Sequence, residues 1–121
     1  MGKRKRVPNN TVTFFRRRDG LLTGYRAEGH AGYGEQGEDI VCAAVSALTE
    51  STLNGLRNVL KAPFMFDVDD EAAVLEARST PEVTEAQLEQ AQLLLRTLQE
   101  GLQAIEESYP RNVRIIYEER R

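Results

Sequence analysis

Little in this sequence can hold a metal ion or form a cross-link. Of its 121 residues one is a cysteine, Cys42, and one a histidine, His30. A single cysteine excludes a disulfide within the chain, and one Cys with one His cannot by themselves build a Cys/His zinc site. No metal and no cofactor are expected. Long apolar runs are missing as well. The longest, Ile40-Val41-Cys42-Ala43-Ala44-Val45, falls far short of the roughly 20 residues that span a bilayer. The start, Met1-Gly2-Lys3-Arg4-Lys5-Arg6, is basic but leads into no apolar stretch, so no secretory signal is expected. These absences point to a reducing cytoplasm and away from membranes.

What remains is an ordinary globular mixture, 40% hydrophobic and 29% charged, of a length that fits one domain. Its charge is unevenly spread. Residues 1–28 hold half of the 16 basic residues but only Asp19 and Glu28 of the 19 acidic ones. A basic end on an acidic body suits either an RNA contact or a solvated arm, and no nucleic-acid motif or stacking platform accompanies it. Residues 1–10 read as this arm, ahead of a single domain over 11–121.

The elements follow from periodicity. Thr11–Arg18 alternates β-branched or aromatic residues with polar ones, and Asp19-Gly20 supplies the positive φ that a hairpin turn needs. Leu21–Glu28 resumes the extended pattern, with Phe14 and Phe15 facing opposite ways. Glycines at 29, 32, 34 and 37 make the next stretch a loop rather than a helix or strand. Glu38-Asp39 suits a helix start. From Ile40 to about Leu60, Val41, Ala44, Val45, Leu48, Leu53, Leu56 and Leu60 keep helical spacing until Pro63. Phe64–Val68 and Ala73–Ala77 read as strands around an acidic turn. Thr84 with Gln87 forms a plausible capping box for a second helix, whose apolar face runs Leu88, Ala91, Leu94, Leu95, Leu98, Leu102 and Ile105. Val113–Glu118 closes the chain. The order ββαββαβ predicts an α+β two-layer sandwich, a roughly five-stranded sheet covered by two long helices.

Chemistry centres on Cys42. In the opening turn of a helix, free amides and the dipole favour a thiolate, the nucleophilic form of cysteine. His30 follows the hairpin's second strand, and packing of that hairpin beside the helix would bring the imidazole to the thiol. The helix-start amides, including that of Cys42, are candidate oxyanion donors. Asp39, one turn before Cys42, either orients His30 or caps the helix. Ser46, one turn after, lines the same face or bonds to a carbonyl four residues back. The plain alternative is a small buried cysteine and a locally bonded histidine. Spacing alone leaves both readings open.

A family resemblance enters on a longer block. Gly29-His30-Ala31, the glycine loop ending Gly37-Glu38-Asp39, and Ile40-Val41-Cys42-Ala43-Ala44-Val45-Ser46-Ala47 resemble the signature of the bacterial ribosomal-processing cysteine proteases, the Prp family. Ala91–Leu98 and Leu102–Tyr109 resemble it too, and the likeness runs from Thr11 to Tyr117. It implies a cysteine endopeptidase that removes a short N-terminal extension from one large-subunit ribosomal protein, number twenty-seven. It further implies His30 as general base, Cys42 as nucleophile, and Asp39, Ser46, Gly29, Ala31 and Gly37 as supporting or substrate-lining positions. Substrates with aromatic residues just before the cut, a loop that moves to admit them, and a homodimer belong to the same expectation. The basic start, Lys3–Arg6, is not part of the block and leaves room for a ribosome contact. Two other classes remain as alternatives: a non-catalytic ribosome-associated or RNA-binding assembly module, and a structural dimer in which Cys42 is only core.

Overall fold

The computed structural model describes residues 10–29 and 38–120. Strands β1 (Asn10–Arg16) and β2 (Leu22–Gly29) pair antiparallel as the first hairpin. Gly20 takes the left-handed φ of 98° that Asp19-Gly20 predicts. The connection is wider than a two-residue turn: Arg17 N–H donates to the Leu21 carbonyl at 2.8 Å, and the Asp19 carboxylate accepts from the Leu21 N–H at 3.2 Å.

Helix α1 spans Glu38–Asn54 and carries on as a single π turn, Gly55–Val59. Helical spacing predicts one element to about Leu60, and the difference lies in that last turn. Leu60 N–H donates five residues back, to the Gly55 carbonyl at 2.9 Å. Gly55 sits under a neighbouring helix, where an added Cβ would stand 3.0 Å from Leu94 Cδ1. The missing side chain permits that close approach. After Pro63 come β3 (Phe64–Asp69) and β4 (Val74–Ser79), then α2 (Glu85–Ser108) and β5 (Val113–Glu119). Thr84 and Gln87 form the capping box, with Gln87 N–H on Thr84 Oγ1 at 3.1 Å and Thr84 N–H on Gln87 Oε1 at 2.9 Å.

The order is ββαββαβ, as the sequence predicts. The strands make one mixed sheet, β3-β4-β2-β1-β5, with β5 parallel to β1 and every other pair antiparallel. Alternate residues of the central strands, among them Val12, Phe14, Tyr25, Ala27, Leu75 and Ala77, point to one core. Val41, Val45 and Leu53 of α1 and Leu88, Ala91, Leu95, Leu98 and Leu102 of α2 complete it. Burial of each leucine contributes roughly 1.5–3 kcal/mol, so two such stripes hold both helices on one sheet face. Tyr25 ties α1 to the sheet, because its hydroxyl donates to the Thr49 carbonyl at 2.6 Å. Burial pushes that phenol well above its ordinary range and keeps it a donor. Among the described residues no helix is long and apolar enough to cross a membrane.

The opposite sheet face is closed by charged side chains. Phe14 points into the core and Phe15 away from it, as alternation predicts, yet Phe15 is only 1% exposed. The guanidinium of Arg120 lies 4.0 Å from its ring centroid and that of Arg26 lies 5.8 Å away. Beside it Glu76, 7% exposed, bridges Arg26 Nε at 2.8 Å and Arg78 Nη1. Burial alone raises the Glu76 carboxyl, but hydrogen bonds from Arg26 and Arg78 outweigh it and hold the group below its ordinary value. A carboxyl depressed in the folded state adds stability above its unfolded value, about 4.3 for Glu, and loses it as pH falls through the folded one. Thermal melts over that acid range are therefore expected to fall more steeply for the parent than for Glu76→Gln. Parallel slopes would show that this bridge carries no part of the acid sensitivity.

Candidate active site

The first helix and the hairpin meet at one end of the sheet. β2 ends at Gly29, whose N–H donates to the Ala73 carbonyl at 3.0 Å. Across the hairpin Gly29 pairs with Asn10, and on its other side Asn10 pairs with Val113 of β5. The single cysteine of the chain comes to this point from α1. Asn10 Nδ2 lies 3.2 Å from Cys42 Sγ, and the same nitrogen lies 3.2 Å from the Asn112 carbonyl.

Cys42 is half-buried and opens on a cleft of about 240 Å³ between α1 and the β3–β4 turn. Ser46 and Glu50 follow it along the helix at successive turns and line the same cleft, as the periodicity of a helix requires. Opposite stand Val68, Asp69 and Asp70, with Glu28 and Gly29 at the end of β2. The charged groups among these lining residues are all carboxylates. No three of the described His, Cys, Asp and Glu side chains converge where a metal ion would sit.

Several expected site residues find their places here. Gly29 and Ser46 line the cleft with Cys42. Asp39 lies in the first turn of α1, three residues before Cys42, and its side chain is outside the described part. His30, Ala31 and Gly37, with the glycine loop and Tyr33, lie outside the described residues. One detail changes. α1 begins at Glu38, so Cys42 is its fifth residue, one place beyond the opening turn. In the helical pattern the Cys42 N–H has the Glu38 carbonyl as its partner, and the free amides are those before it. Hydroxyls of α1 that bond back four residues include those of Thr49, whose Oγ1 donates to the Val45 carbonyl at 2.9 Å, and Thr52, whose Oγ1 donates to the Leu48 carbonyl at 2.8 Å.

Asn10 is the residue that sequence reasoning misses. Next to Asn9 and a basic stretch it reads as part of a polar tail. Only pairing with Gly29 on one side and Val113 on the other buries it, to 4% exposure. No local pattern carries that signal, since its carbonyl partner Asn112 is 102 residues away.

The sequence and the fold that carry this site are shared with known proteins. Residues 11–114 match the family model described as cysteine protease Prp. The ribosomal processing cysteine protease Prp of Staphylococcus aureus strain Mu50 is 34% identical over 99 residues, 82% of this chain and 90% of that one. Its counterpart in Bacillus subtilis is 25% identical over 104 residues, 86% of this chain and 93% of that one. Among solved structures, S. aureus Prp in complex with a substrate peptide superposes with a TM-score of 0.78 at 32% identity, over 90% of this chain and 99% of that one. A Streptococcus mutans protein gives the same TM-score at 30% identity, over 93% of this chain and 97% of that one. Fold, length and sequence thus agree over nearly the whole domain, and the chain belongs to the Prp family of cysteine proteases and is itself a cysteine protease.

Proposed function

We propose that this protease is a processing endopeptidase that removes the short N-terminal extension of large-subunit ribosomal protein twenty-seven, with Cys42 as nucleophile and His30 as general base. The observation that carries the reading is a juxtaposition. The only thiol of the chain lines the cleft in which β2 ends at Gly29, one residue before the only histidine. Relatives named as ribosomal processing proteases, and one bound to a substrate peptide, support the choice of a ribosomal protein as substrate.

In the proposed cycle His30 takes the proton from Cys42 Sγ, and the thiolate attacks the scissile carbonyl carbon. The amides of Glu38, Asp39 and Ile40 at the start of α1 hold the oxyanion. His30 then gives its proton to the leaving amine, leaving a thioester on Sγ. Water hydrolyses the thioester and frees the new carboxylate with the thiol. Asp39, Ser46, Gly29, Ala31 and Gly37 support the pair or line the substrate. A cleft of about 240 Å³ suits side chains of an extended peptide better than a folded partner. A homodimer in the cytoplasm goes with this reading.

The test is direct. A synthetic peptide spanning the extension, with paired aromatic residues before the cut, is incubated with the purified chain and followed by mass spectrometry. A single cut just after the aromatic residues is expected. An intact peptide beside an enzyme whose Cys42 still reacts with iodoacetamide would rule this substrate out.

A further inference from the structure

We infer that the side-chain amide of Asn10 is the hydrogen-bond donor that stabilises the Cys42 thiolate, which makes Asn10 a further catalytic residue of the protease. The inference rests on the reading of Cys42 as the nucleophile and adds to it a group from a distant strand.

The orientation of the amide follows from its second partner. The Asn112 carbonyl can only accept, so the end of Asn10 facing it at 3.2 Å must be the NH₂. That nitrogen has two hydrogens. One satisfies Asn112, and the other is aimed at Sγ, 3.2 Å away. The same carbonyl also accepts the main-chain N–H of Asn10 at 3.0 Å, so both ends of the residue are anchored on one atom. Asn112 is held in turn, its N–H donating to the Tyr109 carbonyl at 2.9 Å. With Asn10 buried between β2 and β5, the donor is fixed before any substrate arrives. A donor that needs no reorientation costs least when charge forms on the sulfur.

The charged groups described around the cleft offer no substitute for this donor. Glu28 from β2, Glu50 from α1, and Asp69 and Asp70 from the β3–β4 turn line the cleft with Cys42, and no described Lys or Arg lines it. None of these carboxylates can donate to a negative charge on the sulfur. The start of α1 favours it, but Cys42 lies beyond the first turn, where that influence falls away. Among the described residues, Asn10 Nδ2 is the side-chain donor in contact with the sulfur. A hydrogen bond to an ionised partner is about twice as strong as one between neutral groups, so the contact favours thiolate over thiol.

Alkylation tests this without any substrate. Iodoacetamide reacts with the thiolate, the sulfur displacing iodide, so the rate against pH follows the thiolate fraction. For Asn10→Ala the rate near neutral pH is expected to fall on the order of tenfold, with the half-maximal point moved to higher pH. At alkaline pH, where the thiol is ionised in both proteins, the two curves are expected to meet. Asn10→Asp keeps the shape but places a carboxylate against the sulfur, and its curve is expected to lie further to high pH than that of the alanine variant. Peptide cleavage is expected to lose kcat with KM little changed. Superimposable curves for the parent and both variants would overturn the inference. So would an equal drop at every pH, which would mean that Asn10 only shapes access. Failure of the peptide to be cut leaves the alkylation curves readable, so a wrong substrate and a wrong role for Asn10 are told apart.

Discussion

Cys42→Ala is expected to abolish peptide cleavage, by a factor on the order of 10³ or more, while leaving the fold in place. The size of the effect follows from chemistry that nothing else in the chain can supply. Cys42 is the only thiol, and the hydroxyl that lines the same cleft one turn on, Ser46, has too weak an acidity to replace a thiolate at neutral pH. Cys42→Ser is expected to be almost as inactive for the same reason, although it restores an oxygen near the position of the sulfur. The fold is spared because Sγ is half-buried on the wall of an open cleft and is not part of the core cluster. Removing it leaves no enclosed cavity, so the stability cost stays within about 1 kcal/mol. Cleavage followed by mass spectrometry, with a thermal melt of each variant, checks both halves. An alanine variant that cuts at the parental rate would end the thiol mechanism, and one that is inactive but unfolded would say nothing about chemistry. The half-buried position of Cys42 makes the second outcome the unexpected one.

The features legible in the sequence are those settled by neighbours along the chain. The stripe from Leu88 to Leu102 repeats at helical spacing and becomes the buried face of α2. Thr84 and Gln87 are three residues apart, and their two hydrogen bonds need nothing beyond that turn. The positive φ of Gly20 is a property of the Asp-Gly pair. Other features depend on residues that meet only in the fold. The π turn after Asn54 owes its glycine to Leu94 of α2. Phe15 reads as an outward strand residue, and it is buried because Arg26 and Arg120 arrive from two other parts of the chain. At the site, Cys42, Ser46 and Gly29 were legible because one helix face and one strand end carry them. Asn10 was not, since a polar residue beside a basic tail gains its meaning only from β5 running parallel to β1. A parallel pair joins segments far apart in sequence, and no local period announces it.

Gly24→Ala is expected to destabilise the domain by on the order of 3 kcal/mol or more, and so to lower its unfolding midpoint by roughly ten degrees. The cause is a collision between backbones. Gly24 lies in the middle of the sheet, paired with Phe15 of β1 on one side and Arg78 of β4 on the other. An added Cβ would fall on the carbonyl oxygen of Ala77 and within 2.7 Å of the Cα of Arg78. Neither atom can swing aside as a flexible side chain would, because both belong to a central strand. The backbone of Gly24 adds to the cost, since its φ of 156° is rarely adopted by residues with a side chain. A register shift between Phe15 and Arg16 explains the geometry: Phe15 pairs with Gly24 while Arg16 pairs with Leu22, leaving Thr23 as the extra residue of a bulge. Beside this bulge the β2 backbone passes so close to β4 that only glycine tolerates the approach. Cys42→Ala and Gly24→Ala therefore fail in opposite ways. Cys42→Ala keeps the melt and loses the chemistry. Gly24→Ala keeps the thiol but loosens the strand that ends at Gly29, so activity falls in step with the folded fraction and returns on cooling. A Gly24→Ala protein that melts with the parent would mean that β4 can retreat from β2 at little cost, against the close backbone contact that the sheet shows at this position.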